Sequence, residues 1–84
     1  MSALAHNYNR KNLSFSKGKG SFLISKTGKK YLDFVQGIAV NSLGHSNEYL
    51  IKAINKQANR VWHVSNAFKI PEGERLAKRL VKST

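Results

Sequence analysis

Cysteine is absent from this 84-residue chain, which removes disulfides, a thiolate nucleophile and any Cys-ligated zinc site from consideration. Acidic residues are nearly absent too. Asp33, Glu48, Glu72 and Glu74 stand against fifteen Lys and Arg, giving a net charge of +11. Four carboxylates this dispersed offer no obvious pair for general acid–base work, and each has a structural place, Asp33 on a strand and the glutamates at helix starts. The histidines, His6, His45 and His63, are too widely separated for a local metal motif, and none pairs with another at i, i+4 beside a carboxylate. No apolar run approaches membrane-spanning length, and the opening MSALAHNYNRKN lacks the apolar segment of a secretion signal. The expectation is no membrane and a cytoplasmic location.

A charge of +11 attracts polyanions. The basic residues, however, are scattered from Arg10 to Lys82 with no run longer than two. Such scatter lacks the one-faced patch of a specific nucleic-acid binder, so only nonspecific contact is expected.

What the chain does contain is a change of period. Residues 1–12 read as a flexible tail, and residues 13–84 as a single partial domain. Leu13 and Phe15 alternate with serines, after which Lys17-Gly18-Lys19-Gly20 reads as a turn. Two β-prone runs around Ser25-Lys26-Thr27-Gly28 predict a hairpin over Ser21 to Phe34, with the Leu32/Phe34 face buried. Beyond Gly44 the spacing becomes helical. Ser46 is suited to cap a helix near Asn47–Arg60, whose apolar stripe is Leu50, Ile51, Ile54, Ala58 and Val61. Pro71 suits the first turn of a second helix, Pro71–Lys82, with Leu76, Ala77, Leu80 and Val81 on one side. The fold class is α+β, an N-terminal β-hairpin followed by two amphipathic helices.

The stretch Tyr31 to His45, YLDFVQGIAVNSLGH, dissolves from a strand into a glycine-hinged loop. Followed by VWHVSNAF and IPEGERLA, it closely resembles the class-III pyridoxal-phosphate-dependent aminotransferases, in particular the branch acting on acetylornithine in arginine biosynthesis. The likeness runs from about Tyr8 to about Val81. It implies a fragment of the small domain of a fold-type I aminotransferase, which in full length is a homodimer that binds pyridoxal phosphate. Such an enzyme needs a Schiff-base lysine, a carboxylate for the pyridine nitrogen and a cup of amides for the phosphate. In the family these come from segments beyond those matched here. The resemblance therefore assigns no catalytic or cofactor-binding residue to this chain, and no cofactor to the chain alone. It does assign substrate-pocket wall to Ile38 and Val40 and, near the active site and dimer interface, to Asn66 and Phe68. An aromatic residue frequent in relatives is replaced here by Lys69.

On these grounds the chain reads as a truncated aminotransferase that is inactive alone. It is a gene remnant, an excised piece, or half of a split enzyme whose partner is the missing C-terminal part. The alternative is a small basic binding module with nonspecific affinity for nucleic acid.

Overall fold

The computed structural model describes residues 2–84. Three strands, β1 (Phe15–Lys19), β2 (Phe22–Ser25) and β3 (Lys30–Leu32), precede a short turn of helix, α1 (Gln36–Ala39), and two longer helices, α2 (Glu48–Ala58) and α3 (Pro71–Ser83). The chain divides into two compact units, one ending at Lys52 and the other Ala53–Thr84. Met1, the first residue of the expected tail, lies outside the described residues.

In the first unit the strands form an antiparallel sheet in the order β1-β2-β3. The expected hairpin is β2 and β3, with Phe22 opposite Leu32 and Leu23 opposite Tyr31. Its connection is built on Ser25, the one buried residue among those described. The Ser25 hydroxyl accepts from the Lys29 amide at 3.1 Å and lies 3.0 Å from the Thr27 hydroxyl, while the Gly28 amide donates to the Ser25 carbonyl.

Two expectations are corrected in this unit. Lys17-Gly18-Lys19 is not a turn but part of β1, a third strand pairing with β2 from Phe15 opposite Ser25 to Lys19 opposite Phe22. The physical reason is that Gly18 permits close approach of another segment; the chain reverses one step later, at Gly20-Ser21, where Gly20 takes φ 57°. The sheltered face of β3 is also the opposite one. Tyr31 is half-buried with its ring edge-on to Phe15 at 5.8 Å, whereas Leu32 and Phe34 are 53% and 87% exposed.

The helices follow the predicted periodicity closely. Asn47, not Ser46, caps α2: its side-chain oxygen accepts from the Leu50 amide at 3.1 Å, and Ser46 donates instead to the Gly18 carbonyl at 2.6 Å. Glu48 stands in the first turn and Lys56 in the last, matching the helix dipole. At the end of α2 the Trp62 indole N–H donates to the Ala58 carbonyl at 2.6 Å, which satisfies one of its terminal acceptors. In α3, Pro71 lies at the start, Glu72 and Glu74 follow in the first turn, and Lys82 closes the last.

No apolar residue among those described is buried. The stripes of both helices are open, from Leu50 and Ile54 in α2 to Leu76, Leu80 and Val81 in α3. These elements present the faces of a core without enclosing one.

Candidate functional site

The loop between β3 and α2 is where geometry and sequence converge. Asp33 extends the β3 ladder through its amide, which donates to the Ser21 carbonyl at 2.8 Å. Its carboxylate then turns back on the chain. Oδ1 accepts from the Val35 amide at 3.1 Å and the Gln36 amide at 2.9 Å, and Oδ2 accepts from His45 Nε2 at 2.7 Å. The Asp33 side chain is only 7% exposed. These bonds hold its carboxyl below the ordinary value of 3.8, the Gln36 amide contributing most and the His45 ring next, against an opposing push from burial.

His45 reaches that carboxylate because its backbone is fixed. Its amide and carbonyl both bond Gly20, at 2.8 and 2.9 Å, in an isolated antiparallel bridge. The approach needs glycine at position 44. A Cβ on Gly44, already at φ 80°, would stand 2.8 Å from the Gly20 carbonyl oxygen. Entry and exit of the loop are thus tied to the same sheet.

Between the ties, α1 is a left-handed turn. Gln36, Gly37, Ile38 and Ala39 all have positive φ, from 54° to 63°. The turn closes through Ala39 N–H to the Val35 carbonyl and Val40 N–H to the Gln36 carbonyl, each at 2.9 Å. Left-handed geometry costs roughly 1–2 kcal/mol for each non-glycine residue. Three such residues occur here, one of them the β-branched Ile38. The turn displays Ile38 and Val40 outward, both strongly exposed. A cleft of about 430 Å³ beside it is lined by Phe15, Tyr31, Asp33, Phe34 and His45 among others, but not by Ile38 or Val40.

The other two expected wall residues belong to the second unit. Asn66 and Phe68 occupy a turn in which the Ala67 amide donates to the Ser65 hydroxyl at 3.2 Å, and Phe68 is 69% exposed. A cleft of about 480 Å³ in this unit is lined by Arg60, Trp62, His63, Lys69 and Glu72 among others. Lys69 lines it, and neither Asn66 nor Phe68 does.

The Asp33–His45 pair escapes a reading of the sequence. An aspartate leaving a strand signals a side chain that bonds nearby amides. Nothing local signals its partner twelve residues on.

The residues present do not fit pyridoxal phosphate. All eleven lysines are exposed, so none is desolvated in the manner that activates a Schiff-base amine. The one sheltered carboxylate, Asp33, already accepts three hydrogen bonds. The starts of α2 and α3 carry Glu48, Glu72 and Glu74, whose charges oppose a phosphate there. Among the described residues no three acids or histidines gather as a metal site. No helix among them is long and apolar enough to cross a membrane.

A three-stranded antiparallel sheet, a tied loop and two amphipathic helices with open stripes, in that order along the chain, are a part of the aminotransferase architecture. The family model of class-III aminotransferases matches residues 3–84, and the chain belongs to that family. It is 51% identical over 77 residues to the acetylornithine aminotransferase of Brucella melitensis, an alignment covering 92% of this chain and 19% of that protein. The crystal structure of N-acetylornithine aminotransferase from Stenotrophomonas maltophilia matches with a TM-score of 0.82 at 36% identity, over 92% of this chain and 21% of that one. Adenosylmethionine-8-amino-7-oxononanoate aminotransferase from Methanocaldococcus jannaschii matches with a TM-score of 0.84, also at 36% identity, over 98% and 20%. The chain therefore spans about a fifth of the length of the relatives it matches.

Proposed function

We propose that this chain supplies the amino-terminal part of an acetylornithine-type aminotransferase, as one partial domain of a cytoplasmic enzyme. The family reaction transfers an amino group between N-acetylornithine and 2-oxoglutarate in arginine biosynthesis. Bound pyridoxal phosphate supplies the electron sink for that chemistry, held by residues other than those of this chain. The observation that carries the reading is the absence, among the described residues, of any buried apolar residue beside two helices whose apolar stripes are open. Burying one Leu or Ile contributes roughly 1.5–3 kcal/mol, whereas ordering each residue costs roughly 1–2 kcal/mol of backbone entropy. These stripes accordingly call for the remaining polypeptide of the enzyme as their cover, and homodimer formation belongs to the completed enzyme.

Within that enzyme, Ile38 and Val40 border the substrate entrance through the left-handed turn, and Asn66 and Phe68 contribute wall. The choice of acetylornithine rests on relatives such as that of Brucella melitensis, since of the two solved structures only that from Stenotrophomonas maltophilia carries that name. The experiment is an acetylornithine/2-oxoglutarate assay of the purified chain, alone and mixed with the Brucella melitensis enzyme lacking its matching segment. No turnover alone and restored turnover on mixing support the reading; turnover by the chain alone overturns it.

A further inference from the structure

We propose that Asp33 and His45 are positioning residues: one carboxylate clasps the two ends of the 34–44 loop and thereby holds the turn Gln36–Ala39 in its left-handed form. Three non-glycine residues at positive φ need support from outside themselves. Packing does not provide it, because Phe34, Val35, Ile38, Val40 and Leu43 are all well exposed. The two i to i+4 bonds of the turn do not select its hand either, since a right-handed turn makes them at lower cost, and the one further bond, from the Asn41 amide to the Gln36 carbonyl at 3.0 Å, ties only its exit.

What remains is the clasp. Asp33 Oδ1 takes the amides of Val35 and Gln36, the two residues that lead the chain into positive φ. Oδ2 takes Nε2 of His45, whose backbone is bridged to Gly20. An ionised carboxylate accepts and cannot donate, so His45 presents Nε2–H, which both its neutral tautomer and its cation supply. Entry, exit and hand of the loop are thereby set by one group. The consequence for substrate, through Ile38 and Val40, rests on the aminotransferase reading; the clasp itself does not.

The experiment is NMR of the 84-residue chain, reading the strong intraresidue Hα–HN cross-peaks that positive φ produces at Gln36, Ile38 and Ala39. The wild type is expected to show all three. Asp33→Ala and His45→Ala are expected to lose them while the β2–β3 cross-strand peaks between Leu23 and Tyr31 persist. His45→Gln, which returns an N–H donor to the position of Nε2, is expected to restore them. Persistence of the three peaks in both alanine variants, their absence from the wild type, or failure of the glutamine variant to restore them overturns the proposal. No step depends on turnover, so this outcome is separable from that of the aminotransferase reading.

Discussion

Gly18 lies directly beneath His45: a Cβ at Gly18 would stand 2.7 Å from both Cβ and Cγ of the histidine. That contact is closer than real Cβ atoms make, and the neighbour is the stem of a side chain whose backbone is bridged to Gly20. Gly18→Ala should therefore displace His45 from Asp33. Overpacking of this kind typically costs about 1–3 kcal/mol. The expected result is faster hydrogen exchange at the His45 amide, with the β2–β3 amides unchanged. Unaltered protection at His45 would mean that the ring is free to move aside.

The Asp33 carboxyl provides a pH test. Its native value lies below the ordinary 3.8, held down chiefly by the Gln36 amide and then by His45. A carboxyl depressed on folding contributes stability that is fully present above its unfolded value and is lost as pH falls through the native one. The loop should thus remain closed at neutral pH and open only in the acid region below 3.8. A carbon-13 titration of the Asp33 carboxyl should give a midpoint under that value, and Asp33→Asn should remove the acid transition. A midpoint at or above 3.8 would contradict the hydrogen-bonding pattern.

Leu80 tests the open face of α3. It is 57% exposed and shares a stripe with Leu76. If the remaining enzyme covers that stripe, Leu80→Gln forfeits roughly 1.5–3 kcal/mol of burial, equivalent to about ten- to a hundred-fold weaker association. Lys78→Gln, altering a side chain with only an exposed 3.8 Å contact to Glu74, should change association less than about three-fold. Isothermal titration of each variant against the complementing polypeptide decides between them.

The charge of +11 makes its own prediction. Basic residues spread over the chain should bind nucleic acid weakly, without sequence preference, and with an affinity falling steeply between about 0.05 and 0.2 M salt. Tight, sequence-selective binding at about 0.2 M salt would promote the chain to a binding module.

Periodicity made β2, β3, α2 and α3 legible, because alternation ends at Phe34 and the 3.6-residue stripe starts at Leu50. The family was legible in YLDFVQGIAVNSLGH itself. The loop's conformation was not, since it depends on approaches between residues far apart in the chain: Gly20 to His45, Gly18 to Ser46 and Asp33 to His45. Gly18 read as a breaker because a glycine needed for close approach and a glycine needed for a turn look alike in one sequence. The buried face of β3 was misjudged for a related reason. Leu32 and Phe34 are the more apolar pair, but the Tyr31 side is the one that meets Phe15.

On the proposed function, this chain gives an aminotransferase structure and pocket wall while the cofactor's lysine lies elsewhere. Borohydride trapping of pyridoxal phosphate, followed by peptide mapping of the mixture with the complementing polypeptide, tests it most directly. The predicted result is one stoichiometric label on the complementing polypeptide, with only sparse, unselective labelling across the eleven exposed lysines here. Stoichiometric label on a single lysine of this chain, accompanied by turnover without the complement, would contradict the account.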